Sequence, residues 1–175
     1  MATKRVNGKQ KGNSFERECC KTLGEYLGGN YERSNGSGGF VGASNFHRAS
    51  HLSANQLKSY LGDLFVPDDV EMIVECKSYK DIDFNNIIKG SSSKLNEWIE
   101  QNEYDVKTSG IEGIIHIIIF KINRKGSFVC VPALDVFNKR VSYMNYYTEK
   151  NQYQIYGLKE FFENYKDIFK KVISK

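Results

Sequence analysis

Apolar residues recur along the chain with two periods, which predict alternating helices and strands. A period near four residues begins after a cap at Asn13-Ser14 and stops at two glycines: Phe15, Cys19, Leu23, Leu27, then Gly28-Gly29. Helical spacing returns at residues 87–103 and at 158–173, where an amphipathic helix is predicted. Residues 111–122 are nearly all apolar and β-prone, which is typical of an interior strand covered on both faces.

The stretch Gly62–Lys77 predicts two short strands joined by a turn. The first strand begins at Asp63, and the second ends on Glu75-Cys76-Lys77. Side chains alternate between the faces of a strand, so Glu75 and Lys77 point the same way. Two carboxylates and an ammonium group are therefore expected to meet at one edge of a sheet.

The remaining pattern completes an α/β fold with a central mixed β-sheet flanked by helices. Residues 127–131 predict a strand, Pro132 is expected to open a helix of about eight residues, and residues 143–156 predict a loop with one strand. We therefore expect a flexible basic arm at 1–12, a core at 13–132, and a C-terminal helical extension at 133–175 packed on the core.

Charge changes this picture mainly through its distribution. The chain has 175 residues and a net charge of +4. Residues 1–12 and 33–62 contain no acid but several bases, and residues 34–45 form a Gly- and Ser-rich loop of a kind that is often functional. Acid-free segments suit a polyanion, although a solvated tail and a solvated loop are the alternative. The cationic positions in these segments that are candidates for binding a polyanion are Lys9, Lys11, Arg33, Arg48 and Lys58, and Lys4 and Arg5 add to the charge of the first segment.

Several function classes are disfavoured. The four cysteines match neither a disulfide framework nor zinc-ligand spacing, which favours reduced thiols in a cytoplasmic protein. No apolar signal core stands at the N-terminus, and the longest apolar run is too short to span a bilayer. No glycine-rich phosphate loop follows a first strand, so a nucleotide-binding fold is disfavoured.

The acids and the lysine of the Gly62–Lys77 stretch suit phosphodiester hydrolysis. Mg²⁺ prefers oxygen ligands and often takes one or two carboxylates, which Asp63 and Glu75 could supply together with the backbone carbonyl of Cys76. Lys77 could orient or deprotonate the attacking water, or stabilise the phosphate. Glu16 could add a third carboxylate from the first helix. Each residue also has an ordinary explanation, as a surface ion pair, a turn acid or a helix cap.

The order of these motifs resembles the PD-(D/E)XK nuclease superfamily, and most closely its archaeal and phage Holliday junction resolvases. The resemblance covers roughly residues 9–132 and is carried by four motifs: Lys11-Gly12-Asn13-Ser14-Phe15-Glu16-Arg17-Glu18, Arg33-Ser34-Asn35-Gly36-Ser37-Gly38, Gly62-Asp63 and Ile73-Val74-Glu75-Cys76-Lys77. It implies a Mg²⁺-dependent endonuclease, with Mn²⁺ as a substitute, that acts on branched DNA as a homodimer in a prokaryotic or virus-infected cytoplasm.

By the same resemblance, the active-site residues are Glu16, Asp63, Glu75 and Lys77. Ser34 and Ser37 would lie beside the scissile phosphate, and Arg33 would contact DNA. The Pro-Asp of the superfamily name also occurs as Pro67-Asp68, only seven residues before Glu75. We assign that pair to the turn and favour Gly62-Asp63.

Two other functions stay open at this point. One is a nuclease of the same fold that serves restriction, repair or DNA packaging. The other is a DNA-binding module that keeps the fold without catalysis.

Overall fold

A computed structural model describes residues 8–34, 51–82, 84–138 and 141–174 of the chain. These residues form helices and strands in the following order: α1 (Gly8–Leu27), β1 (Glu32–Arg33), α2 (Ala54–Leu61), β2 (Leu64–Phe65), β3 (Met72–Tyr79), α3 (Phe84–Ile88), α4 (Ser93–Ser109), β4 (Ile115–Ile122), β5 (Gly126–Pro132), β6 (Tyr143–Tyr147), β7 (Gln152–Gly157) and α5 (Leu158–Ile173).

A five-stranded mixed sheet forms the centre of the fold, in the order β3-β4-β5-β7-β6. Strands β3 and β4 are parallel, and the other pairs are antiparallel. A separate two-stranded sheet joins β1 to β2. This arrangement confirms the predicted α/β class with a mixed sheet between helices.

Strand β4 is covered on both faces, as its apolar run predicts. Ile117 and Ile119 pack into the core formed with α1 and α5. Ile118 and Phe120 pack on the other face against α4, next to Trp98. Two of the catalytic candidates, Glu75 and Lys77, lie on the neighbouring strand β3, so this doubly buried strand gives them a rigid support.

The C-terminal third differs from the prediction. Pro132 ends β5, and the described residues between it and β6 contain no helix, because Ala133 continues the ladder by donating its N–H to the carbonyl of Gln152 at 3.0 Å. Residues 143–157 form two strands of the main sheet rather than a loop with one strand. The helical extension predicted for 133–175 is therefore wrong for this part, and only α5 is helical.

The first helix also begins earlier than predicted, at Gly8 instead of Asn13. Its first turn is fixed to the turn between β4 and β5, because the Lys11 ammonium donates a hydrogen bond to the Asn123 side chain at 2.9 Å. The predicted flexible arm at 1–12 is thus helical from residue 8 onward.

His116 is a buried imidazole at the start of β4. Its side chain is 8% exposed, and its Nε2 atom has no hydrogen-bond partner among the described residues. Burial lowers the pKa of His116 from 6.5 to about 4, although the nearby Glu103 carboxylate opposes the shift. The folded protein therefore holds the imidazole neutral where the unfolded chain would bind a proton.

We expect His116 to make the fold sensitive to acid. Its contribution to stability is complete above pH 6.5 and is lost as the pH falls towards 4. Between about pH 7 and about pH 5, the wild type should lose about 2 kcal/mol more unfolding free energy than His116→Leu. Urea unfolding of both proteins at the two pH values measures this difference. Equal losses would show that His116 is not the source.

Candidate functional site

Asp63 is held against β3 by a close backbone approach. Its N–H donates to the carbonyl of Val74 at 2.9 Å. Gly62 makes this approach possible, because a Cβ at that position would lie 2.8 Å from the same carbonyl oxygen. The Gly-Asp motif thus has a packing reason: the glycine lets the aspartate reach the edge of the sheet.

The predicted hairpin between the two strands is only partly present. Strand β2 pairs with β1, with Leu64 opposite Arg33, rather than with β3. Asp63 is hydrogen-bonded to β3 through its backbone N–H and also through its carboxylate, which accepts a hydrogen bond from the Cys76 N–H at 2.8 Å. Within a strand, the N–H and C=O of one residue point to the same side. The Cys76 carbonyl therefore faces the edge where the Asp63 carboxylate lies.

Glu75 and Lys77 share one face of β3, as the strand period predicts. The Lys77 ammonium donates to the Glu75 carboxylate in a short ion pair. The Glu75 side chain is 6% exposed and that of Lys77 is 21% exposed. The carboxylate is therefore nearly enclosed, while the lysine reaches solvent.

The electrostatics of the pair differ from those of an ordinary surface ion pair. Burial, together with the negative charge of Asp63, raises the pKa of Glu75 to about 7 against the opposing effect of Lys77. Burial lowers the pKa of Lys77, but the charge and hydrogen bond of Glu75 outweigh it, so the net pKa is raised. Two carboxylates repel each other here, and a divalent cation would relieve that repulsion.

The donors at this edge fit a hard metal ion. The Asp63 and Glu75 carboxylates and the Cys76 carbonyl are all oxygen donors, which Mg²⁺ and Mn²⁺ prefer. One oxygen of each carboxylate is used by the hydrogen bonds from Cys76 and Lys77. Within the described residues, no group of three or more His, Cys, Asp or Glu side chains is placed to hold a metal. The protein would thus supply two carboxylates, with water and phosphate completing the coordination.

Glu16 is not brought into that group. Its carboxylate accepts a hydrogen bond from the Nε of Arg33 in a partly buried ion pair that joins α1 to β1. The two residues were predicted to have separate roles, Glu16 in catalysis and Arg33 in DNA binding. In this structure they contact each other.

The other predicted DNA contacts fall into four groups. Lys11 is placed with its ammonium donating to the Asn123 side chain at 2.9 Å. Lys58 is 3% exposed, donates to the Val70 carbonyl at 2.9 Å and pairs with Glu71, so its ammonium is held inside the fold. Ser34 is buried and donates its N–H to the Asp63 carbonyl at 2.8 Å. The rest cannot be placed as side chains: Ser37 and Arg48 lie outside the described residues, and Lys9 is described only by its backbone in α1.

Asp105 is a member of the site's surroundings that sequence reasoning missed. It lies on α4, is 8% exposed, and burial raises its pKa to about 7 while the charge of Lys77 opposes the rise. Its charge also acts on Glu75. The signal was present in the helical period, because positions 95, 98, 102, 105 and 109 share the buried face of α4.

Comparison with known proteins identifies the family. The chain matches the family described as "Phage putative PDDEXK endonuclease" over residues 7–174. The chain belongs to this family. It is therefore a member of the PD-(D/E)XK nuclease superfamily, and the match includes the C-terminal segment that the motifs alone left unassigned. No curated protein and no solved structure matches the chain.

Membership in this nuclease family implies DNA as the substrate class and a divalent metal as the usual cofactor of the superfamily. The resemblance seen in the sequence is confirmed at the level of the PD-(D/E)XK superfamily. None of the described helices is long and apolar enough to cross a membrane. All four cysteines are free thiols.

Proposed function

We propose that this PD-(D/E)XK protein is a Mg²⁺-dependent endodeoxyribonuclease that cuts branched DNA, in particular four-way junctions. The observation that supports it is the meeting of the Asp63 carboxylate with the Glu75–Lys77 pair at the edge of β3. Parallel support comes from the family match, which covers nearly the whole chain.

In this proposal Asp63, Glu75 and the Cys76 carbonyl hold the metal. When bound, a divalent ion supplies positive charge to the phosphate and activates water for attack. Asp63 stays oriented by the Cys76 N–H, and Glu75 stays oriented by Lys77. The reaction adds water at phosphorus and breaks one P–O bond, and the leaving oxygen takes up a proton.

Lys77 is the residue that we expect to meet the substrate directly. Its ammonium is held by Glu75 and its side chain is partly exposed, so it can donate a hydrogen bond to a phosphate oxygen or to the attacking water. We assign it to orienting that water and to balancing charge on the phosphate. Glu16 would serve indirectly, by holding Arg33 in place opposite Leu64 of β2.

We further propose a homodimer that works in the cytoplasm of the host cell. A four-way junction presents two equivalent strands, and a two-fold symmetric pair of sites matches that symmetry. Light scattering of the purified protein with and without a junction measures the assembly directly.

The test of the proposed function is a panel of labelled DNA substrates: a four-way junction, a flap, a nicked duplex and a linear duplex. We expect cleavage with Mg²⁺ or Mn²⁺, none with EDTA, and the fastest cleavage for the junction. Equal cleavage of linear duplex would contradict the junction preference and favour a restriction, repair or packaging nuclease. DNA binding without metal binding or cleavage would favour a non-catalytic module.

A further inference from the structure

The turn between β4 and β5 lies at the same end of the sheet as the continuation of the catalytic strand. Strands β3 and β4 run parallel, with Tyr79 opposite Ile122. The next residues along the two strands are Lys80 and the turn residues 123–125. Lys80 follows Lys77 by three positions, a distance of about 10 Å along an extended strand.

A basic concavity forms where these two segments meet. It has a volume of about 640 Å³ and is lined by Lys80, Asp81, Asn123, Arg124 and Lys125. The acid is already paired, because Asp81 accepts a hydrogen bond from the Lys125 ammonium at 3.2 Å. Lys80 and Arg124 are exposed and have no ion-pair or hydrogen-bond partner among the described residues. Two cations are thus left to attract an anion.

Arg124 has a positive φ, a backbone conformation that glycine and asparagine adopt more readily than arginine. Its φ is 63°, and it is the one non-glycine residue with positive φ in the described part of the chain. The turn is closed by the Lys125 N–H donating to the Ile122 carbonyl at 3.0 Å, which places Arg124 at its third position. Glycine or asparagine would adopt positive φ there at lower cost. An unfavourable conformation kept by a charged residue points to a role for its side chain.

The turn is also fixed in place. The Lys11 ammonium on α1 donates to the Asn123 side chain at 2.9 Å. On the other side, the Lys125 ammonium lies 5.9 Å from the centre of the Phe84 ring. A turn fixed on both sides holds Arg124 at a defined position relative to Lys77, as a site for an extended polyanion requires.

We propose that the β4–β5 turn is a binding site for the DNA backbone, where Arg124 and Lys80 contact phosphates of the strand that passes Lys77. The proposal rests on the proposed function, since it takes DNA as the substrate. A duplex places charges every few ångströms along its axis, so phosphates next to the cleaved one fall within reach of this turn. The contacts would set the position of the strand and carry no base specificity.

The decisive variant is Arg124→Gly, which removes the charge and also suits the backbone. Binding of a fluorescent junction and duplex is measured in EDTA, where the DNA stays intact, over a series of salt concentrations. We expect Kd to rise about 3- to 10-fold and the salt slope to fall by about 1, and by about 2 when Lys80→Ala is added. The Tm of Arg124→Gly should be at or above that of the wild type, so unfolding cannot explain its weaker binding.

Lys166→Ala is the matched control for Lys80→Ala, because Lys166 is an exposed lysine of α5 whose ammonium, like that of Lys80, has no ion-pair partner among the described residues. The proposal is overturned if the control weakens binding as much as the turn variants, if Arg124→Gly binds like the wild type, or if the wild type does not bind DNA. If the wild type binds but does not cut DNA and Arg124→Gly binds more weakly, the proposed nuclease function is rejected and the binding site at the turn is kept. If Arg124→Gly cuts and binds DNA like the wild type, the nuclease function is kept and the binding site at the turn is rejected.

Discussion

Glu75→Gln is expected to remove most DNA cleavage while making the metal-free protein more stable. Glu75 is the most enclosed donor of the proposed metal site, and its loss should lower the cleavage rate at least about 10²-fold. Asp63→Asn should have a similar effect, because its side-chain oxygen can still accept the Cys76 N–H but no longer carries charge. Single-turnover cleavage of the junction measures both.

The gain in stability follows from the pKa. Glu75 has a pKa of about 7 in the folded protein and an ordinary value of 4.5. The unfolded chain therefore loses its proton first, and ionisation costs stability as the pH rises from 4.5 through about 7. Glutamine carries no such cost, so Glu75→Gln should be more stable by an amount on the order of 2 kcal/mol at about pH 7 without metal.

A divalent metal should reverse this ranking. Mn²⁺ or Mg²⁺ that binds the folded state raises the Tm of the wild type, and Glu75→Gln should lose that rise. Glu163→Gln is the matched control, because Glu163 is an exposed carboxylate on α5. If Glu75→Gln cuts DNA as fast as the wild type and still responds to metal, the site is assigned to the wrong residues.

Phe161→Ala is expected to cost about 3–5 kcal/mol of unfolding free energy. The Phe161 ring is fully buried and lies 5.3 Å from Phe169, 5.4 Å from Phe137 and 5.6 Å from Tyr165, measured between ring centres. Native proteins have total stabilities of about 5–15 kcal/mol, so this cost is a large fraction of the whole. Urea unfolding followed by circular dichroism measures the change.

This second experiment also tests how the C-terminal third is joined to the fold. Lys159→Ala, two residues earlier on the exposed face of α5, should change the unfolding free energy by less than about 0.5 kcal/mol. If Phe161→Ala costs no more than that control, α5 is a separate extension. A single cooperative loss in both spectral regions would show that α5 and the sheet unfold together.

Local periods were enough to predict much of this fold. The alternation that places Glu75 and Lys77 on one face requires only the strand period, and the apolar run of β4 predicts its burial. Gly62-Asp63 was found through its motif, and the structure supplies the reason in the distance from Gly62 to Val74. These features depend on neighbours close in sequence.

The features that the sequence did not predict concern partners that are distant in sequence. The pairing of Arg33 with Glu16 and the burial of Lys58 against Val70 depend on how separate elements pack. Pro132 is compatible with both a helix start and a strand end, and its pairing with Tyr153 decides the matter. Asp105 could have been found from the helical period, but its closeness to Lys77 could not.

The position of β3 has a consequence for how the site is assembled. It stands at one edge of the sheet, and its strand partner in that sheet, β4, follows only after the segment 80–114, whereas β4 and β5 are joined by a short turn. Closing the longer segment costs more chain entropy and adds contacts of high sequence separation. Pairing β3, which carries Glu75 and Lys77, with β4 thus costs more chain entropy than pairing β4 with β5. The catalytic site is therefore assembled only when the fold is complete.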